Sequence, residues 1–182
     1  MREVEVKARI NSFAEVRTKL QSLGCAFSQP ILQEDTIFLL SILNFNDITS
    51  GTNVLRVRKQ NDYTFFTVKQ PQTNELDCIE EEVVIDDPRK MAKILQLLGY
   101  KEVIKVSKRR VKTHFKEYSI CLDEVENLGS FIELESLASD EDDAAHQERM
   151  FDLLIEWGVN PSDRVTIGYD TMIYRLKQGT QL

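Results

Sequence analysis

Apolar and charged residues alternate in the first segment of the chain. In an extended strand successive side chains point to opposite faces, so residues 3–10 have two distinct faces. The apolar face carries Val4, Val6, Ala8 and Ile10, and the charged face carries Glu3, Glu5, Lys7 and Arg9. Taken alone, this pattern predicts a half-buried strand with a solvated outer face.

Similar segments recur along the chain and predict further strands. We expect these strands over 35–39, 54–58, 63–69, 78–85, 103–113, 118–123 and 131–135. Asn61 and Asp62 predict a turn that joins two of them in a hairpin, and the turn formers at 126–129 precede the last strand. Turn-forming residues are frequent over 41–53, which we interpret as a mobile loop with some apolar anchors.

Three segments show helical periodicity, over 12–23, 87–98 and 140–157. Ser12 with Glu15 resembles a capping box, Asp87-Pro88 is a typical helix start, and the third helix begins with an acidic first turn. The residues expected to face inward are Val16, Leu20 and Leu23, then Ile94, Leu95 and Leu98, then Met150, Leu153, Leu154 and Trp157. The tail over 167–176, with Tyr169 and Tyr174, can pack back over the sheet.

Length and composition predict one globular domain over residues 1–182. The chain is 42% hydrophobic and 29% charged, and no apolar run approaches the roughly 20 residues that span a bilayer. The start lacks the apolar core of a secretory signal, so we expect a cytoplasmic protein without a membrane partner. A net charge of −7 argues against a general nucleic-acid surface. Cys25, Cys78 and Cys121 fit neither a disulfide framework nor a zinc pattern and are expected to be buried.

Like-signed charged pairs occupy one face of several predicted strands. The pairs, together with single charged residues on other predicted strands, are Glu3/Glu5/Lys7, Arg56/Arg58, Lys69, Glu80/Glu82, Lys108/Arg110, Asp123 and Glu133/Glu135. Like charges about 7 Å apart repel, whereas divalent cations would relieve the carboxylates and a polyphosphate would relieve the Lys and Arg clusters. If the strands of this α+β chain close into an antiparallel barrel, all the charged faces can line one lumen while the apolar faces pack under the helices.

The carboxylates indicate a hard metal ion. Because no His or Cys accompanies the acidic pairs, they favour Mg²⁺ or Mn²⁺ over zinc. We interpret His114 and His146 as surface residues. Neither a P-loop nor the G-x-G-x-x-G or H-E-x-x-H motif occurs, so any phosphate binding must come from side chains.

Five segments, taken together, resemble segments of a known protein family. They are Glu-Val-Glu-Val-Lys at 3–7, Leu-Arg-Val-Arg-Lys at 55–59, Thr-Val-Lys-Gln-Pro at 67–71, Lys-Arg-Arg at 108–110 and Leu-Asp-Glu-Val-Glu-Asn-Leu-Gly-Ser-Phe-Ile-Glu-Leu-Glu at 122–135. In this order they resemble the CYTH superfamily of class IV adenylyl cyclases, thiamine triphosphatases and inorganic triphosphatases. The resemblance implies a barrel of about eight strands whose bore holds a triphosphate, and 122–135 is most similar to the bacterial and archaeal cyclase branch.

The resemblance also implies a role for each charged position. Glu5, Glu133 and Glu135 would bind metal, with Glu3 as a further ligand or a partner of one. Lys7, Arg56, Arg58, Lys69, Lys108 and Arg110 would hold the phosphates. Lys7, Glu80, Glu82 and Asp123 form the implied catalytic set, the three carboxylates orienting a second metal, the attacking group or the cations. The chain departs from its relatives at Cys78, where they often carry a basic residue, and in the loop 41–53.

The resemblance implies a Mg²⁺- or Mn²⁺-dependent class IV adenylyl cyclase that forms cyclic AMP and pyrophosphate from ATP. One alternative is hydrolysis of thiamine triphosphate or inorganic triphosphate, and another is a sensor that binds a triphosphate or nucleotide without turnover. A cyclase needs an adenine pocket near the tunnel mouth, for which the segment 38–45 is a candidate. Cyclases of this branch are often dimers, so the resemblance also implies a homodimer.

Overall fold

A computed structural model describes residues 2–137 and 144–179. The strands are β1 Arg2–Arg9, β2 Ile31–Leu40, β3 Val54–Gln60, β4 Tyr63–Pro71, β5 Asp77–Val84, β6 Tyr100–Phe115, β7 Tyr118–Val125, β8 Gly129–Leu137 and the short β9 Arg164–Val165. The α-helices are α1 Phe13–Ser22, α2 Pro88–Leu97, α3 Ala144–Glu156 and α4 Tyr169–Lys177. Short 3-10 turns cover Phe45–Asp47 and Pro161–Asp163.

Eight strands close into an antiparallel barrel. Hydrogen bonding follows the order β5-β4-β3-β2-β6-β7-β8-β1, and β1 pairs again with β5 to close the circle, Glu3 lying opposite Cys78. The two-residue β9 adds to β1 alongside Lys7 and Ala8. This closure confirms the predicted α+β barrel.

Local sequence explains the tight connections between strands. Asn61 in the β3–β4 turn and Asn127 before β8 adopt the left-handed conformation, with φ of 51° and 66°, which asparagine tolerates better than most residues. The predicted loop 41–53 contains a 3-10 turn that buries Phe45. Every predicted strand forms, and most are longer than predicted because main-chain pairing continues past the alternating core of each segment.

Helices α1 and α3 cover the outer faces of β1, β7 and β8. The Ser12 Oγ accepts a hydrogen bond from the Glu15 N–H at 3.2 Å, as the predicted start of α1 requires. The buried residues of this cluster include the predicted Val16, Leu20, Met150, Leu154 and Trp157, with Leu153 packed at its edge. The prediction for Leu23 is wrong, since this residue caps the C-terminus of α1 and is 40% exposed.

Helix α2 covers the other side of the barrel, over the outward Phe38, Leu55 and Val57. The Asp87 carboxylate caps this helix, and Leu95 is buried as predicted. Ile94 and Leu98 are 44% and 64% exposed, so those two predictions are wrong. The stripe of α2 that contacts the sheet is narrow. It includes Met91 and Leu95, which lie one turn apart on the same face of the helix.

The inside of the barrel is divided into an apolar end and a charged end. Val54, Val106, Val125 and Phe131 each lie two positions from a charged residue on the same inward strand face. They pack against Tyr169, Met172 and Ile173 of α4 in a third buried cluster. The predicted return of the tail is confirmed, but the helix packs against inward-facing residues at one end of the barrel rather than over its outer surface.

The remaining sequence expectations have mixed outcomes. All three cysteines are buried and free, as predicted, His114 is exposed and His146 is half-buried. The acidic first turn predicted for the third helix lies outside the described residues. None of the helices described in the two ranges is long and apolar enough to cross a bilayer. The cytoplasmic location, the single domain and the homodimer stay predictions.

The packing predicts how two leucine truncations will differ. Leu154→Ala removes a side chain that is 0% exposed beneath α3, and it should lower the free energy of unfolding by about 2–5 kcal/mol. Leu97→Ala, at a position 79% exposed on α2, should change it by less than about 0.5 kcal/mol. Urea unfolding of both variants measures the difference. Equal effects would contradict the assignment of the α3 face as a core.

Candidate active site

A cavity of about 380 Å³ occupies the charged end of the barrel. Charged side chains from β1 through β6 and from β8 line it. The predicted residues that line it are Glu3, Glu5, Lys7, Arg56, Arg58, Lys69, Glu80, Glu82, Lys108, Arg110, Glu133 and Glu135. The structure thus brings twelve of the thirteen predicted residues to one cavity. Asp123 is the exception, fully buried behind Arg110.

Strands β1 and β8 supply a cluster of carboxylates around one ammonium group. In their antiparallel register Glu5 lies opposite Glu135, and Lys7 lies opposite Glu133. The Lys7 Nζ is 2.9 Å from the Glu5 Oε1 and 3.1 Å from the Glu133 Oε1. Burial alone would lower the pKa of Lys7, but the two carboxylates outweigh it and raise that pKa above its usual value. Lys7 is therefore a fixed positive charge in the wall of the cavity.

Arg110 connects β6, β7 and β8 through its guanidinium. Its Nε donates to the Asp123 Oδ1 at 2.7 Å, and its Nη2 contacts both Asp123 and Glu133. Burial favours the protonated form of Glu133, but Lys7 and Arg110 hold the pKa of that carboxyl well below its usual range. The bidentate contact fixes the orientation of the Arg110 fork. Asp123 therefore positions Arg110 rather than facing the cavity itself.

A second buried ion pair joins β2 and β3. The Arg58 Nε and Nη2 donate to the two oxygens of Asp35 at 2.6 and 2.7 Å. Despite its burial, Asp35 has a lowered pKa because of Arg58. Asp35 was not among the predicted site residues. Asp35 does not belong to a like-signed charged pair, because the residue two positions before it is the uncharged Gln33. The charge pattern that indicated the other site residues therefore did not indicate Asp35.

Lys108 is the buried cation with the poorest charge compensation in the described site. It is 8% exposed, and its Nζ lies 3.9 Å from the nearer Asp123 oxygen, which Arg110 already engages. Burial and the neighbouring Arg110 lower the pKa of Lys108 to about 8. An anion near this ammonium would restore the charge balance.

The side of the cavity formed by β3, β4 and β5 is more open. The Arg56 Nη2 lies 3.8 Å from Glu80 and 3.4 Å from Glu82, whose side chain is 41% exposed. The Lys69 ammonium pairs with Glu80, its neighbour across the strands. Thr67, which sequence reasoning missed, donates to the Glu82 Oε2 at 2.8 Å. These contacts hold two cations and two carboxylates near the exposed part of the wall.

The carboxylates of β1 and β8 bring several oxygen atoms to one part of the cavity. Glu5 and Glu135 face each other across the strand pair, with Glu133 two residues along. Burial raises the pKa of Glu5 to about 7, with Glu133 adding to the effect. Glu3 lies on the same face, and burial together with Glu80 and Glu135 raises its pKa as well. Such crowding fits Mg²⁺ or Mn²⁺, which relieve repulsion between carboxylates.

Cys121 is also close to these carboxylates. Ligand atoms of Cys121, Glu133 and Glu135 lie within 4.8 Å of one another, and the Cys121 thiol donates to the Glu135 Oε1 at 3.6 Å. Burial raises the pKa of this thiol well above its usual value. A protonated thiol is a poor ligand for a hard ion, so the oxygen atoms of the glutamates are the better donors.

Several residues from beyond the barrel strands also line the cavity and were not predicted. Tyr169 and Glu75 line the cavity, and no charge pattern in the sequence distinguishes either residue. The proposed adenine role for 38–45 is not supported by its aromatic rings. Phe38 packs under α2, and Phe45 packs 5.0 Å from the Tyr174 ring. Neither ring lines the described cavity.

Comparison with known proteins identifies the family. The family model described as "CYTH domain" matches residues 1–168. The chain is 34% identical over 154 residues to "Putative adenylate cyclase MJ0240" of Methanocaldococcus jannaschii, covering 82% of this chain and 86% of that protein. It is 27% identical over 120 residues to "Adenylate cyclase CyaB" of Aeromonas hydrophila, covering 65% of this chain and 61% of that protein.

Solved structures share the same fold. The PH1819 protein of Pyrococcus horikoshii OT3 superimposes with a TM-score of 0.78 at 31% identity, over 95% of this chain and 99% of that one. A Hippeastrum protein, HpAC1, is described as an adenylyl cyclase candidate with a dominant triphosphatase activity. It superimposes with a TM-score of 0.64 at 18% identity, over 100% of this chain and 98% of that one, and so supports the fold alone. With a family match over nearly its whole length, this chain belongs to the CYTH domain family.

Proposed function

We propose that this chain is a metal-dependent adenylyl cyclase that converts ATP to cyclic AMP and pyrophosphate in the barrel cavity. The observation that supports a triphosphate substrate is the concentration of buried and half-buried Lys and Arg side chains from β1, β3, β4 and β6 around one cavity. The names of the similar proteins from Methanocaldococcus and Aeromonas support ATP as that substrate.

In this proposal six cations hold the triphosphate. They are Lys7, Arg56, Arg58, Lys69, Lys108 and Arg110. Several of them already contact carboxylates, so their side chains are oriented before the substrate arrives. Preorganised charges of this kind stabilise negative charge that develops in a transition state at little cost in reorganisation. Asp35 and Asp123 contribute indirectly by holding Arg58 and Arg110.

The proposed metal ligands are Glu5, Glu133 and Glu135, with Glu3 as a further ligand or a partner of one. Mg²⁺ or Mn²⁺ bound there would lower the pKa of the attacking hydroxyl and neutralise charge on the leaving pyrophosphate. Glu80 and Glu82, on β5, contact Lys69 and Arg56 and orient them. This division assigns carboxylates on β1 and β8 to the metal and those on β5 to the cations.

The proposed reaction is an internal displacement at phosphorus. The ribose 3′ oxygen forms a bond to the α-phosphorus as the bond from that phosphorus to the bridging oxygen breaks. The 3′ hydroxyl proton is lost to solvent or a basic group, and pyrophosphate leaves with the electron pair of the broken bond. Positive side chains along the cavity stabilise the charge that accumulates on the leaving group.

Triphosphate hydrolysis is a second candidate function. The same cations and carboxylates would serve a water nucleophile that attacks the terminal phosphate of thiamine triphosphate or inorganic triphosphate. The burial of both rings in the candidate adenine segment favours keeping this alternative. The two functions differ only in the nucleophile and in the group carried by the triphosphate.

Product analysis separates these functions. Purified protein is incubated with Mn²⁺ or Mg²⁺ and, in parallel, with ATP, thiamine triphosphate and inorganic triphosphate. We expect cyclic AMP and pyrophosphate in equal amounts from ATP. Orthophosphate release without cyclic AMP would show that the protein is a triphosphatase rather than a cyclase. Tight triphosphate binding with no product would instead favour the sensor.

The metal assignment predicts the effect of a neutral variant. Glu133→Gln should lower turnover at least about 100-fold, because it removes a proposed ligand and one of the two carboxylates that position Lys7. Glu124→Gln is a matched control, since Glu124 pairs with Arg109 at 3.0 Å on the exposed side of the barrel. Steady-state assays and Mn²⁺ titrations of both variants measure the contrast. Full metal-dependent turnover by Glu133→Gln would contradict the assignment of Glu133 as a metal ligand.

Lys108 predicts a pH dependence of triphosphate binding. The charged groups that face it from its own and neighbouring elements are Arg110, Asp123, Arg58 and Glu133, with the ring of Tyr169 nearby. Because the pKa of Lys108 is lowered to about 8, its positive charge is lost as pH rises through that value. Affinity for inorganic tripolyphosphate should therefore fall between about pH 7.5 and 9, by at most about tenfold per unit for one obligatory proton.

The control for this pH effect is Lys108→Arg, which keeps its charge throughout the range. Its affinity should fall less steeply than that of the wild type when both are titrated at the same pH values. Ionisation of the ligand itself affects the two proteins equally and cancels in the comparison. Parallel curves would show that Lys108 is not the titrating group.

A further inference from the structure

Tyr169 has a buried hydroxyl that faces no partner. Its side chain is 6% exposed, and its hydroxyl oxygen has no hydrogen-bond partner among the described residues. A buried polar group left unpaired costs free energy, so native proteins rarely retain one without a water molecule, a ligand or a functional reason. The same residue lines the cavity where the charged and apolar ends of the barrel meet.

The ring of Tyr169 also contacts two cations proposed to hold phosphate. The Lys7 Nζ lies 4.1 Å from the ring centroid and the Lys108 Nζ lies 5.0 Å from it. Both distances are within the range of a cation–π interaction. Such a contact engages an ammonium without accepting a conventional hydrogen bond, so each lysine keeps N–H groups for other acceptors. A phosphate that reaches both lysines therefore lies beside the Tyr169 ring.

Two neighbours, Phe131 and Glu75, hold Tyr169 in place. Its ring packs edge-on against Phe131, with centroids 5.0 Å apart. The Glu75 Oε2 accepts hydrogen bonds from the Gly168 N–H at 2.9 Å and from the Thr171 Oγ1 at 2.7 Å, on either side of Tyr169 in the chain. The first turn of α4 is thereby tied to the loop before β5. The ring position is set without any contribution from the hydroxyl.

We propose that Tyr169 forms the floor of the triphosphate site and that its hydroxyl donates a hydrogen bond to a phosphate oxygen lying against Lys7 and Lys108. This inference rests on the proposed function and adds a binding residue to it from outside the barrel strands. The ligand chemistry is that of a polyphosphate group at the inner end of the cavity. Burial raises the pKa of the phenol well above its usual value, so the hydroxyl keeps the proton that it would donate.

The test compares wild-type protein with Tyr169→Phe, which removes the hydroxyl and keeps the ring. Inorganic tripolyphosphate is titrated by calorimetry, once in EDTA to prevent metal-dependent turnover and once with Mg²⁺, and the Tm of each ligand-free protein is measured. The Kd should rise about ten- to hundredfold, the usual effect of losing a hydrogen bond to a charged group. The ligand-free Tm should stay unchanged or rise, because the variant removes an unpaired buried group.

Tyr174→Phe is the matched control. This tyrosine lies on the same helix, packs against Phe45 and does not line the described cavity, so its Kd should match that of the wild type. Wild-type affinity in Tyr169→Phe would overturn this inference alone. A drop of several degrees in its ligand-free Tm would also overturn it, by showing that the hydroxyl has a structural partner. If the wild type bound tripolyphosphate neither in EDTA nor with Mg²⁺, the proposed function would be overturned as well.

Discussion

Charged side chains inside a closed barrel must be matched by opposite charges, and this constraint organises the site. Lys7, Glu133 and Arg110 form a continuous set of contacts across β1, β8 and β6. The cost of desolvating such groups offsets much of their mutual attraction, so they contribute little net stability. Their main consequence is geometric, because each contact fixes a charge in place before any ligand arrives.

Stability must therefore come mainly from apolar surfaces, and strand alternation lets one segment serve both purposes. Strand β8 shows this most clearly. Ile132 and Leu134 point outward into the core beneath α1 and α3, while Glu133 points inward to the charged cavity. Phe131, two residues before Glu133, also points inward but packs with α4 at the apolar end. A register slip of one residue would exchange these environments, so the buried faces specify the register strongly.

The sequence predicts what alternation and charge pairs determine and misses what depends on closure. Glu5 and Glu133 could be assigned to an inward face because strand periodicity is two residues. That Lys7 contacts both depends on the pairing of β1 with β8, which no local pattern specifies. Tyr169 was missed as a site residue because its position depends on a helix packing against the inward faces of distant strands. The errors in the helices have other causes, since Leu23 and Leu98 lie at helix C-caps and Ile94 lies outside the narrow stripe along which α2 contacts the barrel.

The distribution of charge in the cavity is the physical reason for proposing metal-dependent chemistry rather than simple anion binding. An anion alone would satisfy Lys108 and the arginines, but it would add to the repulsion between Glu5 and Glu135. A cation alone would relieve those carboxylates and leave Lys108 poorly compensated. A complex of a divalent metal with a triphosphate carries both kinds of charge, and it can place the metal at β1 and β8 while the phosphates contact the lysines and arginines. The cavity therefore complements a metal–triphosphate complex better than either component alone.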